Sequence, residues 1–402
     1  MSAFIESCQS CNNHLTEFLD LGYHPATSVL THSRSDGPKT LYPLVIFWCD
    51  SCGLVQSGYA TDPKILFGGK EYFYWSSATA SFRKHLEDLA DLLMAEFKPK
   101  FVVDIGGNDG LALKKYEEAG VKVLNVDPSS VAAKAMVPTL NGFFNYRTAE
   151  EIVKEKGQAD LITAYNVFAH TPLQETMRGI DRLLEPNGVF VSESQYLMDN
   201  ISELAYDTLY LEHLRYYSLH TMISLLARWG FKVFKAERVI GIGSSIRVFA
   251  CRAQKSMELD ASVSVILKLE DDFGLQNLKT YTDFADRVKQ SKTDLLALLW
   301  KLKKEGNRIA GIGAAGRSTT IMNYCMLGPD LIDYLAETNQ LKIGCFSAGM
   351  EIPIVSEDKL FEDQPHYAVN FLWHLPQIAS KLKAKGFKGK VIQPLPAVKI
   401  LD

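Results

Sequence analysis

Apolar and polar positions alternate along most of this chain in a rhythm of strand, turn and helix. Phe101, Val102 and Val103 form a buried strand pattern that Asp104 ends, and Gly106, Gly107 and Gly110 turn the chain into a helical pattern from Leu111. Just upstream, Phe82, Leu86, Leu89, Leu93 and Phe97 recur at helical spacing. Downstream, VKVLNVD predicts a strand, SSVAAKAMV a helix and ADLITAYNVF a fully buried parallel strand; only a short segment is expected near Gly142–Asn145. LQETMRGIDRLLEPNG and TMISLLARWG predict helices on either side of the strand VFVSESQY, and FKVFKAERV and SSIRVFACR predict a closing antiparallel pair. The succession is that of a doubly wound α/β core.

The rhythm breaks at Ala253 into a polar linker, AQKSMELDAS, followed by helical pattern as far as Gly306. Leu278, Tyr281, Ala285, Val288, Leu295, Leu299 and Leu302 fall near heptad spacing, with Lys292 on the seam; a helix laid across a neighbouring domain is expected in preference to a dimeric coiled coil. A second α/β unit starts at Asn307. There Gly311, Gly313 and Gly316 make a G-x-G-x-x-G turn between strand and helix, and further strands are expected in LIDYLAET, IPIVS, YAVNFLW and VIQPLP.

Charge distinguishes the two turns. A carboxylate from Asp104 beside the first would repel a pyrophosphate lying on its amides, so an uncharged or cationic ligand is expected there. S-adenosylmethionine fits: it lacks phosphate, its ammonium suits Asp104, and its ribose needs an acid at the end of the next strand, where Asp127 stands. Asn108 occupies the middle of the turn and tolerates positive φ better than most residues. The second turn follows neutral Ala310 and precedes Arg317, which suits phosphates. The same turn supports a rival reading, an NAD-dependent oxidoreductase with Glu337 as its ribose acid.

Cys8-x2-Cys11 and Cys49-x2-Cys52 supply four thiolates, the tetrahedral requirement of a structural Zn2+. No apolar run approaches the ~20 residues that span a bilayer, and the N-terminus has no basic-then-apolar signal. A cytoplasmic protein without a membrane partner is expected. The net charge of −4 also argues against a nucleic-acid partner. A monomer is expected.

Candidate chemistry gathers at the strand ends of the first unit. Asn166 lies near the end of ADLITAYNVF and His170 follows it, and Tyr210, Glu212 and His213 crowd into YLEHLRYY, where a carboxylate next to a histidine would orient it and make it more basic. Paired CxxC knuckles, YFYWSS, DIGGNDG with VDPS, NVFAHTP, YLEHLRYYS, SIRVF and GIGAAGRSTTIMNYC occur in one order over the whole chain. That ordered set resembles the sugar C-methyltransferases of deoxysugar biosynthesis, which include C-3 methyltransferases of nucleotide-linked 4-keto-deoxyhexoses. The resemblance implies a zinc-binding domain over 1–62, a class I methyltransferase Rossmann-like domain over 63–252, and a linker helix with a Rossmann-like nucleotide-sugar-binding domain over 253–402. It also implies that His213 is the base within the Tyr210, Glu212, His213 motif, with His170 and Tyr74 stabilising an enolate oxygen. Tyr72, Arg247, Gly311, Gly313, Gly316, Arg317, Asn323 and Trp373 would face the substrate. Asp104, Gly106, Asn108, Gly110, Asp127 and Asn166 would face the cofactor. A non-catalytic zinc-stabilised scaffold is the remaining alternative.

Overall fold

The computed structural model describes residues 3–401 apart from 28–29, 35–38, 68–73, 79, 241–242 and 373–376. At its centre is a seven-stranded sheet of β1 (Phe101–Ile105), β2 (Lys122–Asp127), β3 (Thr139–Asn141), β4 (Ala159–Tyr165), β5 (Leu184–Gln195), β6 (Phe231–Val239) and β7 (Ser245–Arg252). Their spatial order is β6-β7-β5-β4-β1-β2-β3. The pairs from β5 through β4, β1 and β2 to β3 are parallel, and β7 runs against both β5 and β6. This is the class I methyltransferase topology. β1 is buried at all five positions, as its apolar run requires between two helical layers. The order of the strands reverses beside β1, so the crevice at its carboxyl end is where a doubly wound sheet binds ligands.

Two elements go beyond the pattern. β3 has three residues, and helix Tyr146–Lys156 buries only Thr148, Ala149 and Ile152, so neither leaves an apolar signature of useful length. The expected single helical stretch before Gly306 is two helices, Ala261–Phe273 and Leu278–Lys304, separated by Gly274 in the left-handed region. The longer one does lie across a neighbour: Tyr281 packs against Phe18 and Trp48 at ring separations of 5.2 and 5.7 Å, and Lys292 sits 4.3 Å from the Tyr324 ring.

The flanking regions build their own sheets. Near the N-terminus, strands Thr16–His24, Tyr42–Trp48 and Val55–Ser57 form an antiparallel sheet whose fourth strand, Arg215–Tyr216, comes from the central region. In the C-terminal region Ile354–Ser356, Leu335–Glu337, Ile309–Ile312, Tyr367–Asn370 and Lys390–Gln393 lie parallel in that spatial order, closed by antiparallel Lys399–Leu401. One buried apolar cluster runs continuously through all three regions, from Leu19 and Trp48 through Ile105 and Phe190 to Ile321 and Val369. The regions therefore present fixed walls to whatever lies between them. No helix among the described residues is long and apolar enough to cross a membrane.

Candidate active site

The four N-terminal cysteines converge. The Sγ atoms of Cys8 and Cys52 are 3.5 Å apart, those of Cys11 and Cys49 3.4 Å, and all four lie within 4.8 Å of one another. Sulfurs placed tetrahedrally at ~2.3 Å from a zinc ion stand about 3.8 Å apart, so the donor set fits a closed structural site. Each knuckle is a tight turn in which Asn12 N donates to Cys8 O and Gly53 N to Cys49 O, with positive φ at Asn12 and Gly53.

The turn after β1 carries positive φ at Gly106, Asn108 and Gly110. A Cβ on Gly106 would stand 2.3 Å from Val167 Cγ2, so only glycine lets the turn approach the β4 loop. Asn108 adopts the left-handed conformation and also does something its position in the motif does not announce. Its Oδ1 accepts Ser76 N at 3.0 Å and its Nδ2 donates to Tyr74 O at 3.2 Å, which ties the aromatic segment to the cofactor turn. Asp127 accepts Ser129 N and Asn108 N at 2.8 and 2.9 Å and lines the cavity, in the place expected of a ribose acid.

Asp104 is different from its expected role. It is only 1 % exposed, does not line the cavity, and accepts Thr163 Oγ1 at 2.7 Å. Burial pushes its carboxyl up to about 7, and its place behind the turn, on Thr163, makes it a brace for the turn rather than a group facing a ligand. Gly110 likewise caps the following helix, away from the cavity lining.

A cavity of about 520 Å³ opens at the carboxyl ends of β1, β2, β4 and β5. The N-terminal region contributes Thr27 to its wall, the central region Tyr74, Gly106, Asn108, Asp127, Asn166, His170, Tyr210, Glu212, His213 and Arg215, and the C-terminal region Gly316, Arg317 and Lys342. Asn166 is held in positive φ with its N–H on Glu193 O at 2.7 Å. The His170 and His213 rings stand 4.6 Å apart, and Tyr210 lies over His213 at 4.0 Å.

Both histidines donate from the same nitrogen. His213 Nδ1 reaches Thr208 O at 2.8 Å and His170 Nδ1 reaches Glu212 O at 2.7 Å. A carbonyl only accepts, so each Nδ1 carries the proton and each Nε2 a lone pair. Burial holds His170 down to about 4 and His213 well below the ordinary imidazole range; the Arg215 charge lowers His170 further, and the adjoining imidazole of His170 lowers His213. Two expectations are corrected. Neutral His170 presents an acceptor at Nε2 and cannot donate to an enolate oxygen. Glu212 does not orient His213: its side chain turns to the N-terminal region, where its Oε1 accepts Thr27 N at 3.1 Å as well as the Thr27 hydroxyl, while its backbone oxygen orients His170. Successive residues of this turn point to different neighbours, so adjacency in sequence does not make Glu212 and His213 a pair.

The expected substrate residues divide. Tyr72 and Trp373 lie outside the described residues. Arg247 is held by Glu193 and Glu237 away from the cavity, and Asn323 donates to Thr319 O and Ala348 O to shape its own region. Gly311 and Gly313 are packed against Leu335 and Leu372; Gly316 alone of the three lines the cavity. Arg317 does reach the cavity wall, with its guanidinium on Asp207. Three contributors went unforeseen: Thr27, Lys342 and Arg215. Arg215 is buried and donates to Gln9, Tyr217, Phe168 O and Thr171 O, clamping the loop that carries His170. An arginine among the crowded polar and aromatic side chains of YLEHLRYY was its available signal.

Comparison with known proteins agrees with this architecture. Residues 8–67 match the family described as "Putative zinc binding domain", 74–236 a methyltransferase domain and 241–396 the C-methyltransferase C-terminal domain. C-methyltransferase NovU of Streptomyces niveus is 30% identical over 99% of this chain and 97% of its own. Among solved structures, the PH0226 protein of Pyrococcus horikoshii OT3 has 19% identity and a TM-score of 0.35, covering 44% of this chain and 92% of that one. Magnesium protoporphyrin IX methyltransferase of Synechocystis PCC 6803 has 14% identity and a TM-score of 0.32, covering 42% of this chain and 79% of that one. A cysteine cluster, a class I methyltransferase sheet and a full-length match together establish that this chain belongs to the family of S-adenosylmethionine-dependent C-methyltransferases.

Proposed function

We propose that the protein methylates the carbon next to the ketone of a nucleoside-diphosphate 4-keto-deoxysugar, at C-3, for branched-sugar biosynthesis. The division 1–62, 63–252 and 253–402 assigns zinc, cofactor and nucleotide sugar to successive regions. The observation that carries the reading is the pair of buried histidines, each with Nδ1 on a backbone carbonyl, at a cavity where the regions meet.

A carbon acid requires a base held unprotonated and donors at the ketone oxygen. His213 Nε2 removes the proton. Electrons of the C–H bond move into the enolate, whose negative charge then favours the imidazolium that burial disfavoured. Phenols meet the oxygen. Tyr74 lines the cavity with a phenol that is a neutral donor at about pH 7, and Tyr210 lies on the His213 ring. His170 offers a second acceptor to which the proton can pass. Asp127 would hold the ribose of S-adenosylmethionine and the turn at Gly106–Asn108 its remaining edge; when bound, that cofactor supplies an electrophilic methyl group. The four cysteines would hold Zn2+ as a structural ion, since four sulfurs leave no open position.

An oxidoreductase using the second turn is disfavoured because the full-length relative and the matching domain families are methyltransferases; Glu337, its expected ribose acid, sits against its turn as Asp127 does against the first. It accepts Ala314 N, Thr338 N and Asn339 N. A mere scaffold has no use for two histidines desolvated beside a cofactor pocket. The test is incubation of the enzyme with S-adenosylmethionine and a panel of 4-keto-deoxyhexose nucleotides in deuterated water. Deuterium at C-3 of the recovered, unmethylated substrate and a product heavier by one methylene are expected. Methyl transfer to oxygen, or reduction of a nicotinamide, would overturn the reading. Elemental analysis should find one zinc per chain, lost in Cys8→Ser.

A further inference from the structure

The segment bearing the proposed base is held from outside its own sheet. One carbonyl, Thr208 O, decides which nitrogen of His213 is basic. Thr208 ends the short turn Tyr206–Thr208, and the residues on both sides of it are bound by the C-terminal helix Gly316–Tyr324. Arg317 grips Asp207 Oδ2 with Nε at 2.7 Å and Nη2 at 2.5 Å, and Thr320 Oγ1 donates to Leu209 O at 3.0 Å. The ion pair is desolvated, with Arg317 7% and Asp207 3% exposed. Such a pair adds little net stability but tolerates little displacement, because a shifted partner leaves a buried charge.

We infer that Arg317 is a positioning residue: acting through Asp207, it fixes the Thr208 carbonyl and thereby the tautomer of His213. This rests on the reading of His213 as the base. It departs from the phosphate-binding role that the flanks of the second turn imply. A guanidinium forked onto one carboxylate oxygen has much of its charge balanced before a phosphate arrives, and its planar geometry is fixed to that partner. The arrangement makes the seating of the C-terminal region a condition for a competent base. A carbonyl displaced by an ångström lets the imidazole rotate or exchange tautomers, and the protonated nitrogen would then face the substrate carbon.

The test uses the full chain with Arg317→Gln, Asp207→Asn, the double variant and Thr320→Val. In both Arg317→Gln and Asp207→Asn, kcat for exchange of the α-proton should fall about 10- to 100-fold, the range for a misplaced catalytic group, with KM for the sugar nucleotide unchanged. The double variant should be no worse than either single one, as expected of one shared interaction. Nitrogen-15 spectra should show His213 protonated at Nδ1 in the wild type and a tautomer mixture in the variants. A phosphate ligand would behave otherwise: Arg317→Gln would raise KM at constant kcat, and Asp207→Asn would be silent. That outcome overturns the inference. Thr320→Val leaves the charges in place and should give a smaller fall in kcat with partial tautomer mixing. If the charge variants do not fold, wild-type values for both readouts in Thr320→Val sink the clasp. If the wild type exchanges no α-proton of any 4-keto sugar nucleotide, the proposed function fails, while the nitrogen spectra still decide whether Arg317 sets the tautomer.

Discussion

The two glycine turns of this chain share one local grammar and differ in what their polar groups face. The turn at Gly106–Gly110 presents Gly106 and Asn108 to the cavity, with Asp127 beside them. The turn at Gly311–Gly316 brings Ala314, Ala315 and Gly316 to the same cavity, with Glu337 accepting Ala314 N, Lys342 donating to Ala314 O, and Arg317 reaching across to Asp207. Strand, glycines and helix are set by local backbone needs in both. The occupant of the turn's amides is set by whichever side chain the rest of the fold brings near. Charge at flanking positions is an incomplete guide to either turn, since burial raises the Asp104 carboxyl to about 7 and Arg317 is paired with Asp207.

The sharpest way to break this contrast is to remove the chemistry from the first unit. His213→Asn should abolish α-proton exchange and methylation together, by the 10²–10⁴-fold typical of a general base, with the affinity for S-adenosylmethionine unchanged by calorimetry. Full turnover in this variant would move the base elsewhere. Next in size, Asp127→Ala should weaken binding of S-adenosylmethionine about 10- to 100-fold, the worth of a charged hydrogen bond with its partners, whereas Glu337→Ala should leave it unchanged. Equal losses in the two variants would erase the distinction between the turns.

Asn108→Gly is a finer probe, because glycine accepts the same positive φ and keeps the turn. It removes the bonds to Tyr74 and Ser76, so kcat should fall roughly tenfold with cofactor affinity intact, as expected for a lost positioning contact. The smallest effects are in pH dependence. His170 has a folded value of about 4, below its unfolded 6.5, so its contribution to stability is complete above pH 6.5 and is lost as pH falls toward 4. Asp104 has the opposite sign: its folded value of about 7 exceeds the unfolded 3.8, so stability falls as pH rises through that window and levels off above it. Asp104→Asn should remove the second trend in denaturation curves and leave cofactor affinity unchanged; a large loss of affinity would restore Asp104 as a ligand-facing anion.

Much was determined by sequence alone. The β1 run, the period of the helix holding Leu86, Leu89 and Leu93, the paired cysteines and the positive φ at Asn108 all follow from local rules of burial, spacing and backbone sterics. Elements with few apolar positions, such as β3 and helix Tyr146–Lys156, were not legible because nothing local distinguishes them from loop. The tertiary structure alone decided that Glu212 reaches Thr27, that Arg215 clamps the His170 loop, and that Arg317 stands on Asp207. These contacts join residues far apart in the chain. The protonation and tautomer of both histidines depend on them too, because a buried imidazole takes its state from the carbonyls and charges that packing places around it, and no spacing in the sequence encodes those neighbours.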